Sequence, residues 1–516
     1  MKTIKNILGI LAAAAAMTAC VGDLNVTPID PNANTVDKVL TSQAALDSYI
    51  SGVYLGFATS GYYGPNGGAS ISGLDGGASQ YIRGLYHHEE LTTDESLCGW
   101  NDQTIKNFHY MNWTTDDTFI YAFYSRIFMQ VSSANEFIRE VKQVNFDPAV
   151  VKRYTDEARV LRAIAYYHAL DCFGNVPFAT EDDIVGSIPE QISRTDLFNW
   201  LEGELQDIIS AGNLPGKSSV VYGHVSMGAA KFLLAKLYLN AEVFTGTARW
   251  NDCANVLNSL MKDGYSLHTT SAGVYPAYQE LFLADNEKCT DEIIFAVQQD
   301  GLYTQSYGVT NYIIFASTGG EMDPDMMGIS SGWGGLRMTP EFYNKFSDQD
   351  ERKLFYTATQ KADIEDVGEF SNGYAFMKFR NRTSDGGYGK ELGFVDTDFP
   401  LMRYADVLLM AAECQARGAS GIDGLAAFNQ VRARAGLPAA NGLSLDEILD
   451  ERARELYQEC WRRNDLIRFG KFTSGYTWQW KGEVRDGRDV ESHRTLFPIP
   501  DSDRLANSNL KQNPGY

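Results

Sequence analysis

Two tryptophans stand in loops marked by glycine and polar residues rather than on an apolar helical stripe. Trp100 is followed by Asn101, Asp102 and Gln103, and Trp333 lies within the segment GISSGWGG. An indole ring offers a flat platform for the apolar face of a sugar, and amide and carboxylate groups supply the hydrogen bonds that its hydroxyls need. The pattern therefore favours a glycan site, against the alternative that each tryptophan packs under its own loop.

Motifs for other kinds of chemistry are missing from the sequence. It contains no HExxH, Walker A or dinucleotide-binding fingerprint. His87 and His88 form a lone pair, and His168 falls on the apolar face of a predicted helix, where a satisfied core histidine is expected. A glycoside hydrolase needs only two carboxylates about 5 to 10 Å apart, so that alternative stays open. We expect a protein that is not an enzyme and requires no cofactor.

Acidic residues concentrate in two loops that could hold a metal ion. Glu287 follows Asp285 and Asn286, while Asp396 and Asp398 flank one threonine. Calcium accepts carboxylate and carbonyl oxygens in flexible geometry, although neither segment is an EF-hand loop. Glu287, Asp396 and Asp398 are therefore candidate ligands of a structural calcium, with loop-capping carboxylates as the alternative.

The N-terminal segment MKTIKNILGILAAAAAMTAC resembles a bacterial lipoprotein signal. Its basic front, its short apolar run and the small residues before Cys20 suit export and cleavage, and the run is too short to span a bilayer comfortably. We expect a signal peptide over residues 1–19, acylation of Cys20 and a tethering linker over residues 20–34. The alternatives are an ordinary secretory signal and a buried N-terminal helix. Acyl chains would anchor the protein to a membrane without a spanning helix.

Composition excludes one class of partner and gives no support to thiol chemistry. The formal charge of −22 argues against nucleic acid, because phosphate contacts need clustered lysine and arginine. Apart from Cys20, six cysteines are scattered singly without a CxxC pair, and we expect buried thiols rather than zinc ligands or disulfides. They are Cys98, Cys172, Cys253, Cys289, Cys414 and Cys460.

Apolar periodicity predicts a mainly helical chain. One helix ends at Gly174, a hairpin follows from Ser226 through the turn at Gly246, and a second hairpin runs from Arg403 with its turn at Gly418. Small and large residues alternate in these hairpins as in degenerate tetratricopeptide repeats. A further helix is expected from Ser444, capped at Glu447, towards Gly470, with a dense set of ion pairs.

Between Gly264 and Gly393 the helical signal weakens. The short runs EIIFAV and NYIIFAS are predicted as isolated strands within long loops. We therefore expect a helical scaffold over about 35–260, a loop-rich binding region over about 261–400 and a C-terminal helical region over about 401–516. Loops on a rigid scaffold commonly carry the binding site.

Five ordered segments carry a further signal, and they are EARVLRAIAYYHALDCFGNVPF, DTDFPLMRYADVLLMAAE, FNQVRARAGLP, ERARELYQECWRRNDLIRFGKF and LFPIPDSDRLANSNLKQNPGY. Together these segments resemble the SusD/RagB family of lipid-anchored outer-membrane nutrient-binding proteins. Cys460 and Trp461 depart from the family, which usually has glycine or phenylalanine there. Other segments look most like the starch-binding branch. The resemblance implies capture of starch or malto-oligosaccharide outside the cell and delivery to a SusC-type TonB-dependent outer-membrane transporter.

The resemblance also implies particular site residues. Trp100, Trp333 and Tyr307 look like the aromatic arc that follows a curved glucan in starch-binding relatives. Asp75 and Arg83 look like its polar clamp, and Asn101 and Gln103 compete for a neighbouring amide role. For Arg83 the alternative is a surface ion pair with Glu89 or Glu90. A subunit that only assembles with the transporter is a further alternative for the whole chain.

Overall fold

A computed structural model describes residues 36–61 and 63–516, so the predicted signal peptide, Cys20, the whole predicted linker and Tyr62 lie outside the described residues. The chain is mainly helical, as predicted. The helices of the first half are α1 (Val36–Val39), α2 (Gln43–Ala58), α3 (Tyr81–Glu89), α4 (Gln103–Tyr110), α5 (Thr118–Val141), α6 (Pro148–Cys172), α7 (Arg194–Ala211), α8 (Met227–Leu239), α9 (Ala241–Thr245) and α10 (Trp250–Leu260). Those of the second half are α11 (Ala277–Glu280), α12 (Val309–Ala316), α13 (Pro340–Tyr343), α14 (Tyr404–Ala416), α15 (Gly424–Arg434), α16 (Leu445–Leu456), α17 (Arg462–Arg468) and α18 (Asp501–Ala506).

Strands are short and occur in antiparallel pairs. In the described residues they form four two-stranded sheets, β1 with β5, β2 with β3, β4 with β8 and β6 with β7. Their bounds are β1 (Leu97–Cys98), β2 (Val176–Pro177), β3 (Gln191–Ile192), β4 (Ile293–Val297), β5 (Leu336–Arg337), β6 (Phe355–Tyr356), β7 (Ala375–Phe376) and β8 (Phe399–Arg403). The β1–β5 pair joins two segments that are far apart in sequence.

The helical hairpins form where the sequence predicts them. Helix α6 ends before Gly174, whose φ of +72° is the left-handed conformation that favours glycine after a helix. The Ser226 hydroxyl caps α8 at the Ala229 amide, and Asn240 divides the predicted helix into α8 and α9. Helices α14 and α15 form the second hairpin, turning at Gly418, and α14 also packs against α10. No helix in the described ranges is long and apolar enough to cross a membrane.

Two predicted elements differ in the structure. The run NYIIFAS lies in helix α12, not in a strand, because a short run that is apolar on every side does not distinguish a buried helix from a buried strand. The helix from Ser444 is capped at the Glu447 amide as predicted but ends at Leu456. Gln458 and Cys460 then take left-handed backbone conformations before α17 begins.

The predicted ion pairs of this C-terminal region are buried. Glu455 accepts from Arg403 at 2.9 Å and from Arg352 at 3.1 Å, and it also pairs with Arg434. Burial alone would raise the pKa of Glu455, but these arginines together lower it. The six cysteines of the described chain are buried free thiols, as expected. The charged groups hold the helices of this region together because removing any one would leave partners unpaired inside the protein.

Candidate functional site

Arg83 is buried beneath two aromatic rings. Gln80 caps helix α3 by accepting from the Arg83 amide at 2.9 Å, which fixes the start of the helix. The guanidinium lies 4.6 Å from the ring centre of Tyr312 and 5.4 Å from that of Trp100. Burial lowers the pKa of Arg83 from its ordinary value, and nearby Tyr312 opposes that effect. The side chain is therefore a planar cation held against aromatic faces.

The guanidinium of Arg83 keeps unused donors. Its Nη1 donates to the Tyr307 carbonyl at 3.4 Å, and its Nε is buried without a partner in the described chain. The expected alternative of an ion pair with Glu89 or Glu90 is wrong. Glu89 instead accepts from Arg463 at 2.9 Å, and Glu90 accepts from the Trp461 amide at 3.1 Å. Arg83 thus has hydrogen bonds left to give to a ligand.

The β1–β5 pair brings the two predicted tryptophans together. The Gly99 amide donates to the Gly335 carbonyl at 3.1 Å, and the indole Nε1 of Trp100 donates to the Trp333 carbonyl, also at 3.1 Å. The ring centres of the two indoles lie 6.3 Å apart and the rings are tilted by 53°. Both side chains are half-buried. Each indole therefore keeps part of its ring exposed to solvent. The hydrogen bond between the two residues holds their loops together.

Glycines around Trp333 serve the packing of the protein itself. The Trp333 amide donates to the Phe315 carbonyl at 2.8 Å, where helix α12 ends, and the ring rests 5.0 Å from the Phe315 ring. A Cβ on Gly335 would lie 2.7 Å from Trp100 ring atoms, and one on Gly332 would lie 2.2 Å from a Thr318 carbonyl oxygen. Close approach of protein segments therefore requires these glycines.

Tyr307 continues the row of rings, and Phe394 extends it. The Tyr307 ring centre lies 6.0 Å from that of Trp333 and 5.5 Å from that of Phe394. The Tyr307 hydroxyl donates to Asn66 Oδ1 at 2.8 Å, which orients the ring. Sequence reasoning missed Phe394, although it too follows a glycine in an irregular segment. We call Trp100, Trp333, Tyr307 and Phe394 the ring row.

The predicted polar residues lie at one end of the ring row. A Cβ on Gly77 would lie 3.1 Å from Tyr307 Cβ, 3.2 Å from Asp75 Oδ1 and 3.5 Å from Arg83 Nη1. Asp75 is exposed, and its Oδ1 accepts from the Ala78 amide at 2.9 Å, which leaves its other oxygen for a ligand. The structure thus brings Asp75, Arg83 and Tyr307 together around one glycine.

The amide candidates are less closely tied to the ring row. Asn101 and Gln103 are exposed beside Trp100, where helix α4 begins. Gln103 Nε2 donates to Asn107 Oδ1 at 2.8 Å, so part of its amide is already used. Among nearby tyrosines, Tyr312 is fully buried beneath Arg83, whereas Tyr63 and Tyr303 are exposed. Tyr312 therefore supports the site and does not face the solvent.

The candidate calcium ligands act as acceptors for backbone amides. Asp398 Oδ1 accepts from the Gln299 amide at 2.6 Å, and Asp396 Oδ1 accepts from the Gly301 amide at 2.9 Å. Burial raises the pKa of Asp398 to about 7. Glu287 is exposed and does not gather with the two aspartates into a cluster of ligand atoms within 4.8 Å. Loop capping, the alternative, fits Asp396 and Asp398 better than calcium does.

One compact cluster of potential metal ligands does occur in the described residues. It consists of Glu89, Asp171 and Cys172, all buried. Arg463 Nη1 donates to Glu89 at 2.9 Å and to Asp171 at 3.0 Å, so a cation already lies between the carboxylates. An additional metal ion would have to displace this arginine, and we assign the cluster a structural role.

The three histidines considered in the sequence analysis, His87, His88 and His168, are core residues. His168 contacts the Tyr81 hydroxyl at 2.9 Å, and burial lowers its pKa to about 4. Burial also lowers the pKa of His88 to about 3 and that of His87 well below its ordinary value. These imidazoles are therefore neutral at physiological pH, as expected of packed interior rings.

Comparisons with known proteins agree with this architecture. Residues 353–516 match the SusD family. The chain is 29% identical to the starch-binding protein SusD of Bacteroides thetaiotaomicron, over 98% of this chain and 97% of that protein.

Two solved structures show the same fold. Surface glycan-binding protein A from Bacteroides thetaiotaomicron, in complex with laminarihexaose, gives a TM-score of 0.71 at 19% identity and covers 92% of this chain and 100% of its own. A SusD superfamily protein from Parabacteroides distasonis gives 0.72 at 23% identity with the same coverage. Two of these relatives are named for binding starch or glycans, which agrees with the expectation that this chain is not an enzyme. The match over residues 353–516 and the similarity along nearly the whole chain confirm its resemblance to the SusD/RagB family.

Proposed function

We propose that this protein captures a neutral, curved glycan of the starch or malto-oligosaccharide type on the ring row, without cleaving it. The observation that carries the proposal is the adjacency of three half-buried rings, Trp100, Trp333 and Tyr307, to a buried arginine with unused donors. Sugar rings stack their apolar faces on the aromatic groups, while Arg83 and Asp75 bind hydroxyls at the edge.

The tilt between the rings supports a curved ligand. The planes of Trp100 and Trp333 differ by 53°, and those of Trp333 and Tyr307 differ by 63°. A flat, extended chain presents its sugar faces in nearly parallel planes and would stack on one ring at a time. A chain that turns from one sugar to the next can follow all three, as helical α-glucans do. Similarity to a starch-binding protein over nearly the full chain favours the same ligand class.

Electrostatics supports a neutral glycan rather than an acidic one. Asp75 and Asp102 are exposed near Arg83, and the charges of both carboxylates act on its pKa. The formal charge of the whole chain is −22. Uronate or sulfate groups would therefore be repelled on approach, whereas hydroxyl groups can both accept from Arg83 and donate to Asp75.

Two parts of the chain contribute to the proposed site. Asp75, Arg83 and Trp100 come from the N-terminal part of the predicted scaffold, and Tyr307, Trp333 and Phe394 come from the loop-rich region of about 261–400. The loops alone do not make the site, because Arg83 lies on helix α3. Acylation of Cys20 would hold this site at the outer surface of the membrane, beside a SusC-type transporter that receives the glycan.

Calorimetry with purified protein tests the proposal. We expect wild type to bind maltoheptaose, and Trp100→Ala with Trp333→Ala to lose that binding while the melting temperature stays close to wild type. Trp250→Ala is the control, because Trp250 is also half-buried but lies on helix α10. Unchanged affinity in the double variant would contradict the site. Tighter binding of laminarihexaose would redirect the ligand to β-1,3-glucans, and shortened maltoheptaose would favour the hydrolase.

A further inference from the structure

A cavity away from the ring row lies between the connection that links β2 to β3 and the C-terminal helix α18. Its volume is about 330 Å³, and none of its lining residues belongs to the ring row. Tyr124, Phe128 and Tyr166 form an aromatic floor, and Ile188 and Asp503 stand on opposite sides. At one end, Asn507 Nδ2 donates to the Pro189 carbonyl at 2.9 Å and ties the two sides together. We call this feature the C-terminal groove.

One lip of the C-terminal groove, the connection that links β2 to β3, exposes branched aliphatic side chains. Ile188 lines the cavity and is 61% exposed, and Ile184 and Val185 of the same connection are 81% and 77% exposed. Such residues occur singly on most protein surfaces, but a cluster beside an apolar cavity marks an interaction site. Burying these side chains against a partner would remove apolar surface from water, which favours binding.

The charges around the C-terminal groove are mostly negative. Asp182, Asp183 and Glu190 flank the aliphatic residues of one lip, and Asp503 lines the other. Arg504, the basic residue of α18, is paired with Asp501 at 3.1 Å. In the described chain no basic side chain forms an ion pair with Asp182, Glu190 or Asp503. A partner with lysine or arginine around its apolar contact is therefore complementary, whereas an anionic membrane surface is not.

A buried hydroxyl in the floor of the groove has no hydrogen-bond partner. Tyr124 is 1% exposed, and its hydroxyl finds no acceptor or donor in the described residues. The neighbouring Tyr166 differs, because its hydroxyl donates to the Ala179 carbonyl at 2.7 Å and accepts from the Ala179 amide at 2.9 Å. An unpaired buried hydroxyl is costly, and a backbone carbonyl brought in by a partner would satisfy it.

We propose that the C-terminal groove docks a partner protein that inserts an apolar side chain flanked by lysine or arginine. The apolar side chain fills the cavity over Phe128 and Tyr166, a backbone carbonyl of the partner accepts from Tyr124, and the basic groups meet Asp182, Glu190 and Asp503. This surface is separate from the ring row, so its occupancy does not depend on which glycan the protein binds.

Photo-crosslinking on intact cells tests the docking surface. The full-length, lipid-anchored chain carries p-benzoylphenylalanine in place of Ile188, with Val274 as the control position because it is also exposed, at 70%. We expect a protein adduct from position 188 and none from position 274, and mass spectrometry should find an apolar residue next to lysine or arginine in the crosslinked peptide. A phospholipid adduct, equal labelling at both positions or no adduct at position 188 would overturn the proposal.

Substitutions at one lip and the floor give a second test. Ile184→Asp with Val185→Asp should lower the adduct yield from position 188 at least tenfold, whereas Val274→Asp should not. Tyr124→Phe should lower the yield several-fold without lowering the melting temperature, because it removes a hydroxyl that the isolated protein leaves unpaired. Glycan affinity should stay at the wild-type level in all of these variants. Undiminished crosslinking in the double variant would overturn the proposal.

Discussion

The indole Nε1 of Trp100 donates a hydrogen bond to the backbone carbonyl of Trp333 at 3.1 Å, across 233 positions of sequence. This bond holds the two rings in a fixed tilt, with the backbone of Gly335 packed against the Trp100 ring. The proposed glycan platform is therefore held in place by contacts within the protein itself. Preformed platforms bind with less loss of conformational freedom than mobile ones.

Gly335→Ala should disturb the platform. The new Cβ would lie 2.7 Å from Trp100 ring atoms, so the ring must move. We expect maltoheptaose affinity to fall about tenfold, which corresponds to about 1.4 kcal/mol. Calorimetry measures the affinity, and tryptophan fluorescence reports the displaced ring. Gly203→Ala is the control, because its Cβ would meet nothing within 4 Å; equal affinity in both variants would contradict the role assigned to Gly335.

Arg83→Met should weaken glycan binding while leaving the stability of the protein almost unchanged. Arg83 has no ion-pair partner within the described chain, so losing its charge leaves no buried carboxylate unpaired. We expect glycan affinity to fall roughly 10- to 100-fold, because a hydrogen bond from a charged donor contributes about 1.5 to 3 kcal/mol. The melting temperature should stay within a few degrees of wild type. Calorimetry and thermal unfolding measure the two effects.

Arg463→Met should, in contrast to Arg83→Met, destabilise the fold. Arg463 donates to Glu89 and Asp171 at 2.9 and 3.0 Å, and its removal would leave both carboxylates buried without their cation. We expect a loss of about 3 to 5 kcal/mol in the free energy of unfolding. Comparable destabilisation by the two substitutions would mean that Arg83 also holds the fold together.

The buried pair Glu90 and Glu95 should make stability depend on pH. Burial raises the pKa of Glu95 from 4.5 to about 8, and burial together with Glu95 raises the pKa of Glu90 well above its ordinary value. Between pH 4.5 and about 8 the folded protein therefore binds more protons than the unfolded chain. The free energy of unfolding should fall as pH rises through this window, by up to about 1.4 kcal/mol per pH unit for each proton.

Glu95→Gln tests the pH effect. The amide oxygen can still accept from the Gln458 amide, which lies 2.5 Å from the carboxylate, but the side chain no longer titrates. Urea unfolding across the window should give a flatter dependence on pH than wild type. The exposed Glu242→Gln is the control and should retain the wild-type slope. A wild-type slope in Glu95→Gln would assign the pH dependence to other groups.

Local sequence signals predicted the helical parts of the fold. Ser226 and Ser444 cap helices because their hydroxyls accept nearby amides, and Gly174 and Gly418 lie at helix ends with positive φ. The break before α17 was missed because a non-glycine residue, Cys460, takes a φ of +64°. The resemblance expected glycine or phenylalanine at this point, and the conformation is one that glycine adopts without strain.

The site could be predicted only in part from the sequence, because contacts between distant segments assemble it. Trp100 and Trp333 were predicted from glycine and polar neighbours, but their contact depends on β1–β5, two strands of two residues each. So short a pairing leaves no periodic signal in the sequence. Phe394 stood in a comparable glycine-marked context, yet nothing local distinguishes it from other loop aromatics. Its place in the ring row follows only from packing against Tyr307.

Phe394→Ala should affect long glycans more than short ones. Phe394 lies beyond Tyr307, 5.5 Å from its ring centre, at the end of the ring row opposite Trp100. Maltotriose can bind at the tryptophans without it, whereas maltoheptaose can extend over it. We expect the affinity for maltoheptaose to fall about 2- to 10-fold, because an aromatic contact contributes about 0.5 to 1.5 kcal/mol. Maltotriose affinity should not change.

The control for this prediction is Phe469→Ala, a half-buried ring beside Arg417 rather than in the ring row. That variant should bind both oligosaccharides as wild type does. Calorimetry with each ligand gives the ratio of the two affinities, which removes small differences in active protein between preparations. An equal loss for both lengths in Phe394→Ala would mean that Phe394 acts by supporting Tyr307, because a ring that only positions Tyr307 would weaken every glycan that touches it.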